Sequence, residues 1–262
     1  MNRPATLHGL YLEEVRAELA KAIAFEPAPM DAAALAALPE PVRRYFSACG
    51  FADRPAMRNA RFTWDEVKMR RGRGKGWMRI KMDQFNDAAG PARFVYLHAL
   101  LGGLLPFNGR DKYQDGHGSM IIRALGLIKI ADAASAHMDQ SGLATFLAEA
   151  LMLPSAALRP YLRWESIDGL SARAIITDAG LSVRGIFRFN GAGEFTAFDT
   201  DDRWQDGHDD APIPWRIKAS GYRDMGGFRL ATEYKAVWIE KAGDFEYLRG
   251  RLGKVEYNVE EP

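Results

Sequence analysis

The chain has 262 residues, 47% of them apolar, with 35 Lys and Arg against 34 Asp and Glu for a net charge of +1. A chain of this length and composition can bury a large core and is not of the disordered class, and no global field draws it to nucleic acid or to a membrane surface. The single cysteine, Cys49, excludes an intramolecular disulfide framework and a thiolate zinc cluster, and a reducing compartment suits it best.

Residues 7–25 place Leu7, Tyr11, Val15, Leu19 and Ile23 four apart with charges between them, the pattern of an amphipathic helix. No cationic run leads into an unbroken apolar core at the start, and no stretch of 18 uncharged apolar residues occurs, so neither a signal peptide nor a membrane span is expected. The expected location is cytoplasmic. Asp31 caps a second helix through Leu38, and residues 39–46 give a third with Pro41 in its first turn. These helices form a lead-in over residues 1–50 whose apolar faces need a later sheet to cover them.

From Ala60 the period changes to two. Phe62, Trp64 and Glu66 alternate with Thr63, Asp65 and Val67, and the Gly-rich turn 72–76 returns the chain into Trp77 to Phe85, which is a β-hairpin. Arg93 to Leu100 is a third strand, followed by an apolar loop, 101–108, of a kind seldom left on a surface. Arg110 to Asp115 and Ser119 to Ile130 form another hairpin across Gly116-His-Gly118. Then comes the one long helix signal after the lead-in, predicted over 139–153. Leu143, Phe146, Leu147, Ala150 and Leu151 make its stripe, Asp139 is available as cap, Thr145 and Glu149 lie on a narrow strip, and Pro154 stops it. Strands resume at Leu162 to Ile167, Ala172 to Thr177, Leu181 to Phe189, Glu194 to Trp204, Trp215 to Tyr222, Arg229 to Ile239 and Phe245 to Val259. Asp168-Gly169, Asn190-Gly191 and Ala242-Gly243 punctuate them, so consecutive strands run antiparallel. The absence of βαβ alternation argues against an α/β fold. The expected fold is mainly β: a large curved antiparallel sheet or open half-barrel of about eleven strands over residues 51–262, wrapped on the central helix.

Several motifs invite chemistry. Gln-Asp-Gly-His occurs at 114–117 and again at 205–208, each time at a predicted turn, which accounts for the Asp-Gly in both. Asp111, Asp115 and His117 with Asp206 and His208 have the donor types of a divalent-metal site, but no helical or strand spacing pre-forms one, so no metal is assigned. Residues 72–76 lack the spacing, the hydroxyl and the following helix of a phosphate loop, there is no Gly-x-Ser-x-Gly elbow, and no cofactor is expected. Charge is uneven locally, with seven cations and no acid from Lys68 to Lys81 and six Asp against Arg203 from Asp199 to Asp210. Phe62, Trp64, Glu66; Trp77, Arg79, Lys81, Asp83; and Phe94, Tyr96, His98 each put rings and charges on one strand face. A half-wet concave cavity accommodates both, and so does a ring layer packed under helices with its charges at the edges.

The segments Leu38-Pro-Glu-Pro-Val-Arg-Arg-Tyr-Phe46, Asp111-x-Tyr113-x-Asp115-Gly116-x-Gly118, Phe146-Leu-Ala-Glu149 with Pro154-Ser-Ala-x-Leu158, Pro214-Trp215 and 247–257 resemble a family of uncharacterised bacterial proteins. The resemblance implies an all-β sheet wrapped on a helix, similar in outline to the half-barrel lipoprotein carriers that hold acyl chains on their concave side, but it brings no activity. The leading expectation is binding of a small hydrophobic or amphiphilic molecule in the concave face, with Trp64, Trp77, Tyr96, Tyr113, Arg123, Glu149, Arg203 and Trp238 as the candidate residues. No nucleic-acid partner is expected. The alternatives are a cofactor-independent enzyme using Glu149 with an Arg such as Arg123 or Arg203, and an interaction module working through the basic hairpin 68–81.

Overall fold

The computed structural model describes residues 6–21, 25, 29–101, 104–126, 128–205 and 210–262. Thirteen strands form one sheet in which every neighbouring pair is antiparallel. In chain order they are β1 Asn59–Met69, β2 Met78–Asp87, β3 Ala92–Leu101, β4 Leu105–Gln114, β5 His117–Ala124, β6 Ile128–Ala134, β7 Leu162–Asp168, β8 Ser171–Asp178, β9 Leu181–Phe189, β10 Phe195–Thr200 and β11 Trp215–Ser220. A short two-stranded ladder, β12 Arg223–Asp224 with β13 Arg229–Leu230, precedes β14 Glu233–Glu240 and β15 Gly243–Tyr257. The spatial order is β6-β5-β4-β3-β2-β1-β15-β14-β11-β10-β9-β8-β7, so β6 and β7 are the edges.

At one end of the sheet one strand is longer than expected and another is divided in two. The apolar stretch expected as a loop already carries β4 from Leu105. Within 119–130, Leu125 and Gly126 both take positive φ (52° and 73°), which turns the chain and divides the predicted single strand into β5 and β6.

The central helix, α4, runs Ala136–Ala148 and so starts and ends earlier than predicted. Ser135 is its cap, with the hydroxyl accepting from the Met138 N–H, while Asp139 instead accepts from the Gly118 N–H at 2.7 Å and ties the helix to β5. Beyond Ala148 the bonds tighten to i→i+3 (Ala150 N–H to Leu147 O, Met152 N–H to Glu149 O) because Leu153, preceding Pro154, is driven out of the helical region. A 3-10 turn, Pro154–Leu158, follows.

The sheet curls until α4 packs against β4, β5 and β6 on one side and β8 and β9 on the other. The Tyr113 hydroxyl donates to Asp178 Oδ2 at 2.7 Å across the gap, and a Cβ on Gly116 would meet that of Ala179 at 2.3 Å. Leu143, Phe146 and Leu147 bury the stripe of α4 in a core shared with Phe62, Phe187, Phe198, Trp215 and Tyr257. The lead-in helices take two positions. Helix α1 (Leu7–Leu19) lies outside the barrel, burying Tyr11 and Val15 against Phe85 and Phe94. Short α2 (Ala32–Leu35) and α3 (Glu40–Ala48) add Leu35, Val42, Tyr45 and Phe46 to the core around α4.

Candidate functional site

The register fixes which residues face inward. Phe62 pairs with Gln84, Gln84 with Val95 and Val95 with Asp111, so these share the concave face with Met82, Asn86, Arg93, Leu97 and Tyr113. The alternate set, Phe85, Phe94, Tyr96 and His98, points outward, and Phe85, Phe94 and Tyr96 lie beneath α1, where Tyr96 meets His8 and Tyr11 and its hydroxyl donates to Asn108. The rings expected in the cavity from β3 are therefore a second, outer core, because α1 covers a sheet face that an isolated sheet would leave wet.

The inner face holds a buried polar cluster where the sheet meets the end of α4. Glu149, which caps α4, accepts from Gln84 Nε2 (2.7 Å) and Asn86 Nδ2 (3.0 Å) on Oε2 and from Arg93 Nε on both oxygens (3.0 Å each). Arg93 turns its other edge to Asp111. The side chains of Arg93 and Glu149 are 10% and 16% exposed, whereas Asp111 is 31% exposed and meets solvent. Burial works against the Arg93 charge, yet the fields of Glu149 and Asp111 outweigh it and hold the guanidinium above its ordinary pKa. A carboxylate with three donors on its two oxygens is an anchor, and unpairing it would strand a buried cation. The Arg partner is Arg93. Arg123, on the outward face of β5 opposite Asn108, is not near it.

One turn earlier on the same side of α4, Thr145 accepts from Arg203 Nε at 3.2 Å. The Arg203 guanidinium lies over Trp215 (4.4 Å) and Trp238 (5.0 Å), and Trp215 Nε1 donates to the Tyr247 hydroxyl at 3.1 Å. The strip of α4 that carries Thr145 and Glu149 thus faces two arginine clusters, one from β2–β4 and one from the β10–β11 connection with β11, β14 and β15. Below it the inner face is apolar: Val67, Ile80, Met82, Val95 and Ala99 are buried, while Leu97, Phe107 and Leu248 in the same cluster, and Ile122 opposite Gly109, are only half-buried.

Of the eight candidates, the structure gathers Glu149, Arg203 and Trp238 at α4. Trp64 is also inward, edge-on to Tyr234 and over Gly250. Tyr113 is fully buried against Gly142. Tyr96 and Arg123 are on the outer face, and Trp77 stands outside the sheet with Arg70 and Arg249 on its ring at 4.8 and 4.1 Å. Arg93, Gln84, Asn86 and Asp111 as a group escaped sequence reasoning. Their one signal, polar residues at every second place in a strand, does not say which face is inside.

On the outer side a groove of about 1260 Å³ lies along the start of β2, lined by Arg71, Lys75, Arg79, Lys81 and Arg251 with Glu66, Trp77 and His98. As for metal donors, Asp111 is committed to Arg93, Asp115 pairs with Lys21, and His117 lies 3.8 Å from Asp139. Asp206 and His208 lie outside the described residues, and among the described residues no cluster of three or more His, Cys, Asp or Glu is placed to hold a metal. No helix among them is long and apolar enough to cross a membrane.

Fold and site define an open antiparallel half-barrel plugged by a helix, with ion-paired polar groups at the plug and apolar side chains beyond it. The chain belongs to a family of unknown function (DUF6544), whose model matches residues 28–250. No curated protein matches it. Among solved structures it is similar to a crystal structure of a beta-barrel-like protein of a domain of unknown function (DUF1849) from Brucella abortus, with 10% identity and a TM-score of 0.30, over 78% of this chain and 99% of that one.

Proposed function

We propose that the protein binds a small hydrophobic or amphiphilic molecule in the concave face of the half-barrel. One observation carries this reading: Leu97, Phe107, Ile122 and Leu248 face inward and yet stay half-exposed, beside a polar cluster that is itself buried and paired. Apolar side chains turned to the inside of a fold and left wet are what a ligand would cover. The ligand's apolar body lies along β1 to β4, and its polar end reaches toward Asp111, the most accessible member of the charged group, and toward Arg203.

The test is a titration with 11-(dansylamino)undecanoic acid, read by probe emission and by quenching of the inward tryptophans. Saturable binding is expected, and Leu97→Trp, which fills the space with a ring, is expected to weaken it at least tenfold while the melt stays close to that of wild type. Absence of saturable binding, or a folded Leu97→Trp protein that binds as well as wild type, would overturn the reading.

A further inference from the structure

We infer that the end of the sheet formed by the β1–β2, β3–β4 and β5–β6 turns is a docking surface for an anionic lipid bilayer. Pairing of Ile80 with Ala99, of Leu101 with Leu105 and of Phe107 with Ala124 brings these three turns side by side. Six large aliphatic side chains are exposed there: Leu100, Leu104 and Leu105 around one turn, Leu125, Ile128 and Ile130 around the next. Leu104 is 89% exposed, and Leu125, Ile128 and Ile130 are each more than half exposed. Scattered single leucines on a surface need no explanation, but this many on two adjoining turns do.

Leu125 sharpens the point. It adopts φ +52°, a left-handed conformation that a bulky side chain enters only at a cost and that Asn accepts far more readily. The turn therefore carries a residue that suits neither its backbone nor its solvent exposure. A position that breaks two local rules at once has its reason outside local stability.

The third turn and the start of β2 supply the charge. Arg71, Lys75 and Lys81 are exposed and make no ion pair among the described residues. The acids nearby are mostly spoken for: Glu66 by Lys68, Asp132 by Lys129 and Glu240 by Arg73, with Asp244 exposed on the β14–β15 turn. Aliphatic tips beside unpaired cations suit a layer that is apolar within and negatively charged at its surface. A second copy of the chain fits worse, because two such ends facing each other would set Arg71, Lys75 and Lys81 against their own counterparts. The inference goes beyond ligand binding in the concave face and stands without it.

Co-sedimentation of the full chain with sucrose-loaded vesicles tests this, using phosphatidylcholine alone and a 3:1 mixture with phosphatidylglycerol. The chain is expected to partition onto the mixed vesicles and much less onto the neutral ones, with a loss at 0.5 M salt that reflects screening. Leu104→Ser combined with Leu125→Asn is expected to lower partitioning at least tenfold, and Arg71→Glu combined with Lys75→Glu to abolish the preference for phosphatidylglycerol. Leu125→Asn alone is expected to lower partitioning while the melting temperature stays level or rises, a split that a purely structural leucine would not produce. No partitioning onto mixed vesicles, or full partitioning by the Leu104/Leu125 variant, would overturn the inference. So would a lipid-free dimer in sedimentation equilibrium that the same variant turns into monomer, since the patch would then serve a second copy.

Discussion

At the residue scale the protein turns on Glu149 and Arg93, a nearly buried pair whose remaining hydrogen-bonding capacity goes to Gln84, Asn86 and Asp111. Glu149→Gln leaves Arg93 buried with Asp111 alone. The expected loss is about 3 kcal/mol, toward the low end for breaking a buried pair because one carboxylate remains. Denaturant unfolding at neutral pH measures it, and a change within about 0.5 kcal/mol would show that solvent screens the pair. A second buried acid gives a pH dependence. Burial lifts Asp87 from 3.8 to about 6, against the Ala89 N–H at 2.7 Å and Arg58 at 3.1 Å, which favour the anion. Below pH 4 this carboxyl is protonated in both states and costs nothing. Between about 4 and 6 the folded state keeps the proton and the unfolded state does not, so this group's contribution falls as pH rises, by about 3 kcal/mol in full. Other carboxylates pull the opposite way, so the quantity to measure is the stability of wild type minus that of Asp87→Asn from pH 4 to 7. It is expected to decline through this window, and parallel curves would remove the assignment. Glu149 stands out in the sequence as an acid among apolar residues next to a helix stop. Arg93 does not, since nothing in Ala-Arg-Phe-Val-Tyr tells which alternate set α1 covers.

At the scale of elements, close approach of α4 to the sheet depends on places where no side chain can stand. A Cβ on Gly118 would lie 2.1 Å from the carbonyl oxygen of Met138, a backbone atom that cannot move aside without shifting the start of α4. Gly118→Ala is therefore expected to cost about 3 kcal/mol, high in the range for overpacking. Gly169→Ala, with nothing within 4 Å of the added carbon, is expected to stay within about 0.5 kcal/mol of wild type. Equal melts for the two variants would mean that the helix does not sit where Gly118 places it. The hairpins themselves were legible because Asp-Gly, Asn-Gly and Gly-rich turns fall between period-two runs. The split between β5 and β6 was hidden by Leu125, a residue that does not signal a turn. The helix boundaries moved because Ser135 out-competes Asp139 as cap, Asp139 being used to hold Gly118.

At the scale of the molecule, a sheet of thirteen strands is held at its two edges in unequal ways. Along β7, Leu162 is buried, and Trp164 packs against Phe187 while its Nε1–H donates to Ala157 O, so that edge is fastened to the core. The other edge is looser. Every residue of β6 from Ile128 to Ala134 is exposed except Ala131, which is half-buried, and among the described residues the strand pairs with β5 alone. Opening β6 would give up little apolar burial, whereas opening β1 or β15 would expose Phe62 and Leu252 and break ladders on both sides. Hydrogen exchange should then find the amides of 128–134 exchanging about a hundredfold faster than those of β7, a difference of roughly 3 kcal/mol in opening free energy, with β1 and β15 slowest of all. If β6 proved as well protected as β7, something in solution would have to be covering the edge that carries Ile128 and Ile130, and the same experiment repeated on anionic vesicles would show whether lipid adds to that cover.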